Sequence, residues 1–259
     1  MPRRRNRRTL KPAPFEYHAP GSVEEACTLL GSLEDAKVLA GGQSLIPLLN
    51  FRLARPAHLV DINRIEGLDR IYERDNGIAV QALARQSAVE DSDLTLRVCP
   101  LLVDAVRLVA HRVIRNRGTV CGSLAHADPA SELPAVLLAL EGHVVARSTR
   151  GERTIPAAAL FSGVMETSLA PDEVLVEAWF PASPVPSAIV EESRRHGDFA
   201  LAGAVRAAGR LALFGVAPTP VLADPKDPTR GLQPSGDLEA TPEFRLHLVK
   251  VLTERAFAA

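Results

Sequence analysis

Apolar positions recur along the chain with two spacings, one near 3.6 residues and one near 2, and the switches between them predict the elements. Ser22-Val23-Glu24-Glu25 reads as a capping box: Ser22 accepts from the Glu25 amide and the Glu25 carboxylate reaches back. Val23, Ala26, Cys27 and Leu30 follow at helical spacing, which places Cys27 in a core face, and Gly31 suits the helix end. A short buried strand is expected over residues 37–40, a helix over 45–53 and a strand over 58–62. Residues 77–84 read as strand. Residues 100–111 read as helix, with Leu101, Leu102, Ala105, Leu108 and Val109 on the buried side. A helix over about 130–140, ended by Gly142, precedes strands at 143–148 and 173–180. The run Pro181-Ala182-Ser183-Pro184-Val185-Pro186 is the expected domain boundary. Beyond it lie a strand at 211–216, a loop rich in proline, glycine and aspartate at 218–236, and a terminal helix with Thr241 as cap and Pro242 at its first position. The order predicts an α+β architecture without internal repeats.

Composition narrows the class. With 259 residues the chain can bury one large core or fill two to three small domains. No apolar run approaches the roughly 18–20 residues of a membrane span. Cys27, Cys99 and Cys121 are odd in number and contain no C-x-x-C pair, so no disulfide framework, cysteine zinc site or protein-held iron–sulfur cluster is expected. A reducing cytoplasm is the expected location. The net charge of −1 hides an asymmetry: Arg3, Arg4, Arg5, Arg7, Arg8 and Lys11 give the first eleven residues +6 and leave the remainder at −7. A solvated, disordered arm over 1–13 is favoured above a contact with nucleic acid or an anionic surface. Arg7 and Arg8 resemble a twin-arginine signal, but the following Pro12-Ala13-Pro14-Phe15-Glu16-Tyr17 supplies no apolar h-region, so export is not expected.

The candidate chemistry lies in two glycine-bearing segments, Ala40-Gly41-Gly42-Gln43-Ser44-Leu45 and Thr119-Val120-Cys121-Gly122-Ser123-Leu124-Ala125-His126-Ala127-Asp128-Pro129. Glycine lets main-chain N–H groups approach a ligand closely, and a hydroxyl residue follows each time, an arrangement that suits a diphosphate. Neither segment contains G-x-G-x-x-G, and G-x-x-x-x-G-K-[ST] is absent, so a Rossmann nicotinamide site and a P-loop are poorly supported. A dinucleotide held by two separate loops is compatible with the spacing, as are two ordinary turns. His126 reads as a hydrogen-bonded loop histidine or as a base or covalent flavin anchor. Arg112, Arg115 and Arg117 read as an anion site or as solvated or subunit-facing cations. His196 and Asp198 mimic a catalytic pair, although no serine or cysteine nucleophile has a suitable elbow.

Taken together, Ala40-Gly41-Gly42-Gln43-Ser44-Leu45-Ile46-Pro47, Ile114-Arg115-Asn116-Arg117-Gly118-Thr119 and Ser123-Leu124-Ala125-His126-Ala127-Asp128-Pro129-Ala130 resemble the flavoprotein (medium) subunit of molybdenum hydroxylases, the carbon monoxide dehydrogenase and xanthine dehydrogenase group. Phe15-Glu16-Tyr17-His18-Ala19-Pro20, Leu59-Val60-Asp61-Ile62, Arg194-Arg195-His196-Gly197-Asp198-Phe199-Ala200 and Gly215-Val216-Ala217-Pro218-Thr219-Pro220 extend the resemblance from about Phe15 to the C-terminus. It implies a two-subdomain FAD-binding fold of the vanillyl-alcohol oxidase type over 14–182, with subdomains of about 14–65 and 66–182. A small α+β C-terminal domain over 187–259 follows. It further implies non-covalent FAD, with Leu39, Ala40, Gly41, Gly42, Gln43, Ser44 and Leu45 at the diphosphate and ribityl region. Thr119, Gly122, Ser123 and Asp128 would make a second contact, Leu175 would lie near the adenine strand, and Glu132 stands where the family has aspartate. No catalytic residue and no metal of its own is implied. The implied partners are a small subunit with [2Fe–2S] clusters, a large subunit with the molybdenum cofactor, and an electron acceptor such as NAD or quinone.

Two departures bear on that site. Cys121 stands in place of a family glycine; a position needing positive φ would make it cost about 1 kcal/mol or more, and its thiol would sit near the flavin. The C-terminal domain is shortened: Ala207-Ala208-Gly209-Arg210 replaces a longer connection and 223–237 lacks a helix. A stand-alone flavin oxidoreductase of the same fold and a structural subunit impaired in flavin binding are the alternative readings.

Overall fold

Three strands of only three or four residues open the described chain, and their shortness decides how they are used. The computed structural model describes residues 10–183 and 185–259. The basic arm expected over 1–13, with its paired arginines, therefore lies outside the described residues through position 9. In the first unit, β1 (Glu16–His18), α1 (Val23–Ser32), β2 (Ala36–Leu39), α2 (Leu45–Asn50) and β3 (His58–Asp61) build a parallel sheet of order β1-β3-β2. Ser22 caps α1 by accepting from Glu25 N–H at 3.1 Å, while Glu25 Oε2 accepts from Gly21 N–H at 2.7 Å, one residue earlier than the box predicts. Val23, Ala26, Cys27 and Leu30 are buried as expected, and α1 continues past Gly31 to Ser32. The strand expected to be buried at 37–40 is only half-buried.

The second unit contains β4 (Ile71–Arg74), β5 (Gly77–Gln81), α3 (Gln86–Glu90), α4 (Asp93–Val98), α5 (Pro100–Leu108), α6 (Arg112–Arg115), α7 (Val120–His126), α8 (Glu132–Ala139), β6 (His143–Ser148), β7 (Gly151–Pro156), α9 (Ala157–Leu160), β8 (Phe161–Gly163), β9 (Glu166–Thr167) and β10 (Val174–Pro181). Its antiparallel sheet runs β4-β5-β10-β6-β7, with β10 at the centre. Val174 and Val176 pack with α1 residues on one side of β10, whereas Leu175, Ala178 and Phe180 enter the larger core; a bulge at Leu175–Glu177 shifts the phase between them. Cover on both faces explains why this strand reads as a nearly continuous apolar run. In α5 the buried set is Leu101, Leu102, Val103, Ala105 and Val106, so Val103 and Val106 replace the expected Leu108 and Val109. Packing on several sides widens the buried arc beyond a single stripe.

The third unit consists of β11 (Ala188–Glu192), β12 (Ala202–Ala207), β13 (Arg210–Phe214), β14 (Val221–Ala223) and α10 (Pro242–Ala258). The sheet is antiparallel in chain order. Ala208 and Gly209, at φ 50° and 75°, make the two-residue β12–β13 turn. Ala202 and Ala204 pack toward α10, and Val205, Ala207, Ala212 and Phe214 join the same core as α5 and α8. All eight residues of α8 are buried. The proline-rich boundary separates β10 from β11 in sequence, but the hydrophobic core runs across it.

Candidate functional site

The carboxyl ends of parallel strands collect loops, and ligands of open α/β sheets bind there. At the ends of β2 and β3 lies a cavity of about 300 Å³, lined on one side by Leu39, Ala40, Gly41, Gly42, Gln43, Ile46 and Pro47, and on the other by Asp61, Asn63 and Arg117. Five of the seven residues expected from the first glycine segment thus meet in one cavity. Ser44 is the N-cap of α2 and Leu45 its first residue, between the lining residues Gln43 and Ile46 in the chain. Gly42 has φ 75°, a left-handed conformation that favours glycine. Among the described residues, the N–H groups of Gly42, Gln43 and Ser44 donate to no protein acceptor.

At Gly41 the first glycine segment meets the Arg117–Gly118 backbone, which immediately precedes the second segment. A Cβ there would lie 2.4 Å from Arg117 O and 2.9 Å from Gly118 Cα, so only glycine permits this approach. A polar network maintains the contact. Arg85 donates from Nη1 to Arg117 O at 2.9 Å and from Nη2 to Asn63 Oδ1 at 2.7 Å. Asn63 Nδ2 donates to Ala40 O at 2.8 Å and to Asp61 Oδ1 at 2.6 Å. Asp61 Oδ1 also accepts from Asn63 N–H at 2.9 Å, and its Oδ2 accepts from Tyr17 Oη at 2.6 Å. Burial opposes ionisation of Asp61, but the bonds from Tyr17 and Asn63 outweigh it and hold the carboxyl below its ordinary value. With both oxygens engaged by the protein, Asp61 braces the cavity wall.

The second segment has a different form from the one expected. Residues 120–126 are the helix α7, and Thr119 is its N-cap, accepting at Oγ1 from Gly122 N–H at 3.0 Å. A Cβ on Gly122 would stand 2.6 Å from that oxygen, so glycine here makes room for the cap. Cys121 therefore takes right-handed helical geometry, and no positive-φ strain arises. Its thiol points away from the cavity, donating toward Val80 O at 3.4 Å, and burial pushes its pKa up. Ser123 Oγ pairs with Ser131 Oγ at 2.9 Å, Asp128 Oδ1 accepts from Ala130 N–H at 2.9 Å, and Pro129 O accepts from Gly215 N–H at 2.7 Å. His126 ends α7, half-buried. These residues extend from α7 to α8 and do not line the cavity at Gly41. Leu175 sits in β10 with its side chain in the core.

Glu132 opens α8 and is buried. Desolvation, then the charges of Glu191 and Asp128, push its carboxyl up to about 8. Desolvation alone pushes Glu191 on β11 up to about 7, and its Oε2 has no partner among the described residues. The charge of Glu191, from the third unit, thus reaches Glu132 in the second.

Arg112 is bound to Glu90 at 2.9 Å and to Asp91. Arg115 pairs with Glu90 at 2.9 Å and donates to the carbonyls of Val109 and Ala110. Both therefore brace α3 against α6, and only Arg117 of the three arginines reaches the cavity. His196 packs against His111 with ring centroids 5.7 Å apart, and Asp198 is exposed. Tyr17, Asn63 and Arg85 were not among the expected site residues. Their only sequence signal is proximity to the strand ends, because their bonds form across separate elements.

A cavity at the carboxyl ends of parallel strands, with unpaired main-chain N–H groups and a second unit closing on its glycine loop, defines a protein that binds an extended phosphate-containing cofactor between subdomains. Residues 13–183 match the family described as FAD binding domain in molybdopterin dehydrogenase, and the chain belongs to that family. It is 50% identical over 198 residues to the 6-hydroxypseudooxynicotine dehydrogenase complex subunit alpha of Paenarthrobacter nicotinovorans, covering 75% of this chain and 67% of that one. It is 42% identical over 220 residues to the carbon monoxide dehydrogenase medium chain of Hydrogenophaga pseudoflava, covering 80% and 77%. Among solved structures, the carbon monoxide dehydrogenase of Hydrogenophaga pseudoflava superposes with a TM-score of 0.91 at 35% identity, over 96% of this chain and 97% of that one. Quinoline 2-oxidoreductase from Pseudomonas putida 86 gives 0.90 at 32%, with the same coverage.

The residues present fit FAD. The Gly41–Arg117 approach sets the first loop, whose N–H groups have no protein acceptor among the described residues, beside a cavity of suitable size for part of the cofactor, and a side chain at position 41 would destroy that approach.

Proposed function

We propose that this chain is the FAD-carrying electron-transfer subunit of a heteromeric molybdenum hydroxylase in the cytoplasm. In this reading it receives electrons from [2Fe–2S] clusters of a small subunit. The molybdenum cofactor resides on a large subunit, and an acceptor such as NAD or quinone takes the electrons on. FAD supplies the junction between one-electron donors and a two-electron acceptor. The protein's own contribution is positional. Main-chain N–H groups of Gly42, Gln43 and Ser44 would hold the diphosphate, Arg117 would add positive charge at the cavity rim, and Tyr17, Asp61, Asn63 and Arg85 would keep the walls in place.

The observation that carries this reading is the closure of the first glycine loop on the Arg117–Gly118 backbone. The names of the relatives, one a subunit of a dehydrogenase complex and another a medium chain, support a multi-subunit assembly. The test is the purified complex under anaerobic conditions. The expected result is one releasable FAD per chain, reduced when the organic substrate is added. If flavin reduces only after the chain is separated from its partners and given an alcohol directly, a stand-alone oxidoreductase is the better reading. A colourless chain that still assembles and binds no added FAD would overturn the proposal in favour of a structural subunit.

A further inference from the structure

Parallel pairing of β1 with β3 sets Glu16 opposite His58 and His18 opposite Val60. Side chains two apart on a strand share a face, so Glu16, His18 and His58 converge at one end of the sheet, outside the cavity described above. His18 Nε2 lies 3.2 Å from His58 Nδ1, and Glu16 Oε2 lies 3.4 Å from the same nitrogen. One ligand atom from each of the three residues falls within 4.8 Å of the others, the one such grouping of histidine, cysteine and acidic side chains among the described residues.

Hydrogen bonding alone does not account for this arrangement. His58 Nδ1 is the shared vertex, and a ring nitrogen has either one proton to donate or one lone pair to accept with. It satisfies one neighbour well and leaves the other in contact without a full bond. A cation placed among them would take a lone pair from each of the three at once. Two of the three separations, 3.2 Å and 3.4 Å, match the roughly 3.3–3.4 Å that a tetrahedral Zn²⁺ about 2.0–2.1 Å from its ligands sets between neighbouring ligand atoms, and the third lies within 4.8 Å. The two imidazoles are borderline donors that, beside one carboxylate, suit Zn²⁺ better than Mg²⁺ or Ca²⁺. The Glu16 side chain is 74% exposed and that of His58 19%, so solvent can enter and supply a fourth ligand.

We propose that Glu16, His18 and His58 form a Zn²⁺ site that fastens β1 onto β3. Between its two ligands on β1 stands Tyr17, whose hydroxyl holds Asp61 at the cavity wall. The metal therefore steadies one wall of the cofactor cavity while remaining outside it.

The full chain, stripped with chelator and desalted, is titrated with Zn²⁺ alone by calorimetry and followed by thermal melting, without flavin. One saturable equivalent and an upward shift in Tm are expected. In His18→Ala and His58→Gln the affinity should fall at least tenfold and the shift should vanish, while the exposed His247→Ala retains both. Glu16→Gln, at an exposed position unable to perturb the core, should weaken binding with an unchanged apo melting curve. No saturable binding overturns the proposal. So does wild-type affinity in His18→Ala together with Glu16→Gln, or an equal loss in His247→Ala, since either places the bound zinc elsewhere.

Discussion

A single methyl group at Gly41 would collide with backbone rather than with a flexible side chain. Gly41→Ala must push the Arg117–Gly118 segment away, which costs about 1–3 kcal/mol of stability as an overpacking change and opens the cavity. The expected outcome is a soluble chain whose flavin-to-protein ratio, measured by absorbance after denaturation, falls at least tenfold. Retention of full flavin would show that the loop contact is dispensable. Cys121 makes the opposite point. The resemblance implies a glycine position there, yet its thiol is sealed in the core along with those of Cys27 and Cys99. Burial pushes Cys99 up to about 11 and raises the other two, so none is a ready thiolate. A thiol reagent at neutral pH should label none of the three in the native chain and all three in denaturant. The glycine pair was visible in the sequence, but its partner was not, because the Arg117 carbonyl arrives through tertiary packing. The same holds for Arg85 and Asn63, whose bonds span elements no local pattern connects.

Among the elements, those with strong local signals were legible: α1 with its cap, α5 with its initial proline, β6 at its full span and α10 with Thr241 and Pro242. The missed ones have weak intrinsic preference. β12 is built from Ala, Gly and Arg around a single Val, residues with little strand propensity, and it is held by burial on both faces. α7 carries Gly122 within its first turn and so read as a loop. At α8, the raised carboxyl of Glu132 gives an element-scale prediction. Unfolded, this group titrates near 4.3; folded, near 8. The native state therefore holds an extra proton across that window, and stability declines as pH rises through it. Glu191, raised to about 7, adds to the decline within its lower part. Glu132→Gln removes the charge that must otherwise be buried. In thermal melts of the flavin-free chain, the wild type should lose Tm between pH 5.5 and 8.5. The variant should show a flatter profile and a higher Tm than the wild type at pH 8.5. Identical slopes in the two proteins would contradict the buried-carboxyl account.

For the whole molecule, the central fact is that one core serves both sides of the proline-rich boundary. A sequence reading places a domain edge at 181–186, because proline clusters mark chain direction changes and not packing. The structure puts Val205, Ala207, Ala212 and Phe214 of the third unit against α5 and α8 of the second. Arg210 adds a bond to Ala139 O at 3.1 Å, and Gly215 N–H reaches Pro129 O beside the second glycine segment. Removing the third unit would expose the apolar side of α8. Re-exposing Val205- and Phe214-sized contacts costs about 1.5–3 kcal/mol each, which is a large fraction of a typical folding stability of about 5–15 kcal/mol. A chain stopped after Ser183 should therefore aggregate or bind a hydrophobic dye strongly, even though it keeps every residue of the Gly41 cavity. Size-exclusion chromatography with dye binding checks this. If that truncated chain proved monodisperse, melted within a few degrees of the full chain and still bound FAD, the third unit would be an accessory. The expected failure instead makes it a structural wall, on which the positions of α8 and the Asp128–Glu132 segment depend.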